Sequence, residues 1–169
     1  MHFGKKSFSF TAWIKINDYT YPKTSLAVRQ GYGCYFGKGR QGFTPGWDIG
    51  HGHKTDQTEV CIRDQMSNIG WVYIKHDPNF AHSKLRGTWT HYAVVFNRDV
   101  GKIYLYLNGQ KQADLGDISH VNGSIDNDHA LDFGTLYGWK TDGNIDEYRL
   151  YNIALDDAAV SMIYNDHLM

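Results

Sequence analysis

The chain has 169 residues, 41% apolar and 21% charged, with a formal net charge of −1, values that suit one globular domain with a substantial core. A near-neutral balance offers no basic field for nucleic acid or anionic lipid, and no apolar run is long enough to span a bilayer. Aromatics at 15% and 18 glycines favour an all-β domain with many turns.

Met1 to Lys6 holds two lysines with no apolar stretch behind them, so it does not read as a secretory signal. Phe8, Phe10, Ala12, Ile14 and Ile16 then alternate with Ser9, Thr11, Trp13 and Lys15. That period of two predicts a strand with one core face. Ser25 to Gln30 and Gly33 to Phe36 read as the next strands, followed by a glycine-rich loop from Gly37 to Gly46.

Three further strands are expected at Trp47 to His51, Glu59 to Arg63 and Gly70 to Lys75. His76 to Gly87 is polar, contains Pro78, and reads as a loop. Trp89 to Asn97 is apolar on both faces, as in a central strand of a sandwich. Ile103, Leu105 and Leu107 alternate with Tyr104 and Tyr106 up to Asn108-Gly109, a pair that marks a type I′ hairpin because both turn positions need positive φ.

Leu115 to His129 reads as a long polar connection, and Leu131 to Gly134 and Ile145 to Tyr151 as the last strands. One helix closes the chain. Asp156 is placed to cap it, Leu155 to staple onto Val160, and Val160, Ile163 and Tyr164 to share one face.

Four patches carry more than local structure. They are Phe8-Ser-Phe-Thr-Ala-Trp-Ile-Lys, Trp89-Thr-His-Tyr-Ala-Val-Val-Phe-Asn, the Leu105-Tyr-Leu-Asn-Gly hairpin, and Ile145-Asp-Glu-Tyr-Arg-Leu-Tyr-Asn-Ile-Ala-Leu before the closing helix. In that order they closely resemble the laminin-G-like (concanavalin A-like) jelly-roll family. The resemblance implies an antiparallel two-sheet jelly-roll β-sandwich with one short C-terminal helix, spanning 1–169 as a single domain. It also implies a piece excised from a larger secreted or cell-surface protein, and binding rather than catalysis, since many relatives are sugar-recognition modules.

Relatives usually carry an extra strand before the Phe-x-Phe-x-Ala-Trp strand, and it is not visible here. Either excision removed it or another segment covers that edge. The stretch from Tyr19 to Leu85 matches no subfamily pattern.

Sister enzymes with this sandwich are retaining glucanases, whose catalytic carboxyls stand about 5 Å apart. Asp146 and Glu147 are adjacent and would face opposite sides of a strand, and Glu59 is the only other glutamate. Nucleophile elbow, phosphate loop and paired CxxC motifs are missing from the sequence. The expectation is a non-enzyme.

For metals, His51-Gly-His53 could chelate a transition ion, but no third ligand stands at metal-site spacing. The loop Asp126-Asn-Asp128 suits Ca²⁺ better, because a hard cation takes six to eight oxygens. Relatives often hold a structural Ca²⁺ partly through the Asp of their Ile-Asp-Glu strand, which corresponds to Asp146. The expected set is therefore Asp126, Asp128 and Asp146. Alternatively, the first two are solvated turn residues and Asp146 pairs with Arg149 or a backbone amide. Cys34 and Cys61 fit either a disulfide or two buried thiols.

A glycan site combines an aromatic plate with planar polar groups. Arg40, Trp47, Asp48, His51 and His53 offer that mixture in one segment. Trp71 and Tyr73 alternate with Val72 and Ile74, so they should face outward unless a loop folds over them. Trp139 is placed to line a rim, and Trp13 and Trp89 are assigned to the core. Arg40, Arg63 and Lys75 would suit an acidic sugar. The expected partner is a polysaccharide or glycan, with a protein ligand or a spacer role as the alternative.

Overall fold

In the computed structural model, residues 2–18, 33–39, 44–51, 57–113, 115–136 and 139–166 are described. Alternation dictates strand β1 (Phe8–Asp18), whose Phe8, Phe10, Ala12, Ile14 and Ile16 are buried. Phe8 stacks between Phe3 and Phe96, with ring centroids at 4.3 and 4.2 Å.

Next come β2 (Gly33–Gly39), β3 (Gly46–His51), β4 (Gln57–Arg63) and β5 (Ile69–Lys75). The stretch expected as a loop contains a 3-10 turn at Pro78–Phe80 and a short helix, α1 (His82–Leu85). Asp77 starts the turn by accepting the Asn79 backbone N–H at 2.8 Å. Beyond it lie β6 (Trp89–Asn97), β7 (Lys102–Leu107), β8 (Gln110–Lys111) and β9 (Gly116–Asp117). The chain ends with β10 (Leu131–Phe133), β11 (Thr135–Leu136), β12 (Trp139–Lys140), β13 (Asp142–Tyr151) and helix α2 (Asp157–Asp166). The strand expected at Ser25 to Gln30 lies outside the described residues.

One sheet runs β13-β1-β6-β7-β8, with β9 also on β7, and the other runs β10-β2-β3-β4-β5. Their inner faces enclose the main core, in which Phe36, Ile49, Val60 and Val72 oppose Phe10, Val94, Leu105 and their neighbours. The long connection after β8 is not simply polar. Ile118, Val121 and Ile125 are buried in the main core, and Gln65 and Ile125 tie the connection down through N–H donation to Ser124 and Gly4 carbonyls.

Asp64 anchors the same region. It is fully buried and accepts from the backbone N–H groups of Met66, Asn68 and Gly123 and from the Asn68 side chain at 2.8–3.0 Å. Burial alone would raise its pKa, yet these donors hold it below the ordinary carboxylate value.

Part of the outer face of the first sheet is covered as well. A second, smaller core of Ala93, Val95, Tyr106, Leu155 and Val160 packs α2 against it. Asp156 accepts the Ala159 N–H at 2.8 Å, and Leu155 joins Val160 in this cluster, as the capping and staple pattern requires. Ser9 Oγ donates to the Ile153 carbonyl and accepts from the Leu155 N–H, at 2.8 and 2.9 Å. The Asn108-Gly109 turn has φ of 49° and 74°, the hairpin geometry its residues call for.

Both sides of β1 are paired, one by β6 and the other by β13, so its edge is not open. On β13, two residues oppose Ala12 between the pairs Trp13↔Asp146 and Thr11↔Arg149. Glu147 takes φ of 47° in that bulge and its N–H is accepted by Asp146 Oδ1 at 2.8 Å. The kink blunts an otherwise long edge strand.

Cys34 and Cys61 are buried and unbridged. Strand β3 lies between β2 and β4, and their partners on it, Gly50 and Asp48, are two residues apart, so their backbones stand more than roughly 9.5 Å apart, beyond disulfide reach.

Candidate functional site

Along β5, Gly70, Val72 and Ile74 are buried while Ile69, Trp71, Tyr73 and Lys75 are exposed. Trp71 and Tyr73 therefore do face outward, at 41% and 37% exposure. Register identifies what shares their face. Trp71 lies opposite Cys61, which lies opposite Asp48, while Tyr73 lies opposite Glu59 and Ile69 opposite Arg63. Cross-strand partners point to the same side, so the outer face carries Asp48, Glu59, Arg63, Trp71 and Tyr73 across three adjacent strands.

The two parts of this face differ in exposure. Asp48, Glu59 and Arg63 are buried, so the face is covered over β3 and β4. It opens along β5, the outermost strand of its sheet. The result is a half-exposed aromatic strip beside a covered row of charged groups.

Trp47 cannot serve as a stacking plate. It is adjacent to Asp48 and points to the opposite side, into the core, at 1% exposure and 5.5 and 6.0 Å from the Phe8 and Phe96 rings. Period-two geometry forbids neighbouring residues from sharing a face. Trp89, expected in the core, is instead 41% exposed, because it alternates with the inward Thr90 and Tyr92 positions and faces out beside Lys15. Trp13 packs on the outer side with His91 and Tyr164, at 5.5 and 5.7 Å.

His51 ends β3 opposite Thr58, and Trp139 pairs with Leu136 in β12; neither side chain is described. Arg40 and His53 lie outside the described residues. Glu59 and Arg63 belong to the face, although the sequence alone marks Glu59 only as a further glutamate and Arg63 only as a cation suited to an acidic sugar. The signal that places them was the alternation Glu59, Cys61, Arg63.

The three carboxylates expected to hold Ca²⁺ do not converge. Asp126 Oδ1 accepts the Gly4 N–H at 2.8 Å, just before β1. Asp146 sits opposite Trp13, five steps along β1 from Phe8, a rise of roughly 17 Å. There Asp146 lines a surface pocket with Phe133, Ile145, Glu147 and Tyr148, and Arg149 pairs with Glu147 at 2.9 Å. Among the described residues no group of three or more His, Cys, Asp or Glu is arranged to hold a metal ion. At the Asp126 loop, the Lys38 ammonium donates to Asn127 O, Asn127 Oδ1 and His129 O at 2.7, 3.2 and 2.7 Å.

The family model for concanavalin A-like lectin/glucanases matches residues 2–161. The chain belongs to that superfamily. Among solved structures it is similar to the binding domain of Paraclostridial Mosquitocidal Protein 1, with a TM-score of 0.72 and 18% identity over 98% of this chain and 38% of that one. It is also similar to the botulinum neurotoxin serotype G binding domain, with a TM-score of 0.72 and 15% identity over 96% and 36%. A third is the serotype D ligand binding domain in complex with N-acetylneuraminic acid, at 0.69 and 14% over 97% and 37%. The chain thus spans little more than a third of these structures, and at such identities the likeness establishes the jelly-roll fold. No curated protein matches it in sequence.

Proposed function

We propose that this lectin/glucanase-superfamily domain is a non-catalytic carbohydrate-binding module of a secreted or cell-surface protein. The observation that carries the reading is the outward strip on β5: two aromatic rings held half-exposed by a strand whose alternate residues are locked in the core. Such rings stack on the C–H face of a pyranose, and polar groups at the margin of the strip fix its hydroxyls. Trp71 and Tyr73 are the stacking residues of this reading. Lys75, next on the same side of the strand, supplies a cation at its end.

The buried state of Asp48 and Glu59 argues against a reaction there, because a general acid must reach its substrate. Fold relatives described as binding domains, one of them with a sialic acid bound, agree with a recognition role.

A second reading, a protein-binding or spacer domain, draws on Met66, Ile69 and Leu115, which are also exposed. Together with Trp71 they extend the apolar strip toward the β5–β9 side of the sandwich. A protein partner would need that wider patch.

A glycan array probed with the purified domain, in calcium and again in chelator, separates the two. Binding to one glycan class that is lost in Trp71→Ala supports the module. A blank array with a well-folded sample rejects it in favour of a protein partner.

A further inference from the structure

We infer that the acidic loop of this domain is organised by an internal ammonium, that of Lys38, in the role for which Ca²⁺ was expected, and that the fold is calcium-independent. Lys38 lies in β2 and is buried to 8% exposure. Lysine is seldom buried without compensation. Here the compensation comes from the loop. An ammonium has three donors, and three loop oxygens stand around this one: two main-chain carbonyls, of Asn127 and His129, and the Asn127 side-chain oxygen.

Asn127 completes the clamp from the other side. Its Nδ2 donates to the carbonyls of Lys38, Pro45 and Ile125 at 3.3, 3.0 and 3.4 Å, and its Oδ1 also accepts the His129 N–H at 2.9 Å. The loop is thereby pinned to β2 by a reciprocal pair, Lys38 holding Asn127 and Asn127 holding Lys38.

These are the oxygens a loop-bound Ca²⁺ would use, since it takes main-chain and amide carbonyls alongside carboxylates. An ion sharing any one of them would stand within about 5 Å of the ammonium, given Ca–O distances of roughly 2.4 Å. Two cations at that distance repel, and the ammonium is covalently fixed. The Asp126 carboxylate is itself engaged elsewhere, accepting the Gly4 N–H at 2.8 Å with His2 Nδ1 3.8 Å away.

Three measurements on the full chain test this. The melting temperature in millimolar CaCl₂ should match that in excess chelator to within about 1 °C, because a ligand that does not bind the native state cannot shift it. On reductive methylation read by mass spectrometry, Lys38 should stay unmodified while the exposed Lys5 and Lys6 react. Lys38→Met, which keeps the apolar stem and removes the charge, should lower the melting temperature and speed hydrogen exchange at the His129 amide.

A calcium-dependent rise of several degrees, methylation of Lys38 alongside Lys5, or a Lys38→Met variant with native stability and a protected His129 amide would each overturn the inference. If the variant does not fold, the two wild-type measurements still decide.

Discussion

Trp71 and Trp89 are a matched pair. Each is 41% exposed, but Trp71 lies on the outer face of the β5 sheet and Trp89 on the outer face of the opposite one. Truncating either to alanine removes a contact area on the order of 100–150 Å². At ~25 cal/mol/Å², reduced for a compact denatured state, that is about 2 kcal/mol, or a fall in melting temperature of roughly 4–8 °C for a domain of this size. The two variants should therefore be destabilised alike. Their binding should not be alike. Loss of the stacking plate removes about 1.5–2 kcal/mol of sugar contact, so Trp71→Ala should weaken affinity roughly 10- to 30-fold while Trp89→Ala keeps it. Calorimetric titration with the array-selected glycan, beside thermal melts of both variants, reads the two effects separately. Equal loss of affinity in both variants would refute the argument, since it would mean that binding follows general stability and not the β5 strip.

Three other outcomes follow from the packing. Trp47→Ala should cost about 3–5 kcal/mol, as a large aromatic deleted from a closed core, and denaturant unfolding measures it; a cost below that of Trp71→Ala would contradict its burial. Ser9→Ala leaves the Ile153 carbonyl and the buried Leu155 N–H without their shared partner, which should cost about 1–3 kcal/mol and loosen α2, visible as faster exchange of helix amides. For Asp64 the sign follows from its lowered pKa. The stabilisation it gives is present above the unfolded carboxylate value near 4 and is lost as pH falls through the depressed folded value. Asp64→Asn should lower stability at neutral pH and flatten the acid limb of the stability curve, and an unchanged acid limb would discount its role.

The sequence was most legible where one face of an element meets the core. The alternations in β1 and β7, the two-sided apolar run of β6, the Asn108-Gly109 turn and the Asp156 cap each follow from local chemistry, and each is present. Legibility failed where the answer depends on which strand lies beside which. Trp47 and Asp48 were grouped as one site because they are neighbours in sequence, yet a strand sends neighbours to opposite faces. The alternation of Glu59 and Arg63 puts them on one face of their strand, but that Trp71 and Tyr73 share this face follows only from register with β5, which no single segment encodes. The acidic loop misled for a related reason. Its partner is Lys38, 89 residues earlier than Asn127, and only the fold brings an ammonium under those carbonyls.

The asymmetry between the two sheets narrows where a ligand can sit. Helix α2 and the Trp13, His91 and Tyr164 cluster cover part of the outer face of the β1 sheet, leaving Trp89 exposed, and the Tyr106 hydroxyl fastens the helix by donating to Asp157 at 2.6 Å. At the other end of the sandwich, the bulge at Glu147 blunts the β13 edge against strand pairing. On the β2–β5 sheet the burial of Asp48, Glu59 and Arg63 covers the centre of the outer face. Along β5, the outermost strand of that sheet, the exposed positions are Ile69, Trp71, Tyr73 and Lys75. A long apolar strip on a rigid strand would invite aggregation if it were flat and uncharged; ending it in Lys75 and setting its aromatics beside a covered row of charges limits that hazard while both rings stay partly exposed. Recognition at this strip would then depend on rings held by a preformed strand, with little ordering left to occur when the ligand arrives.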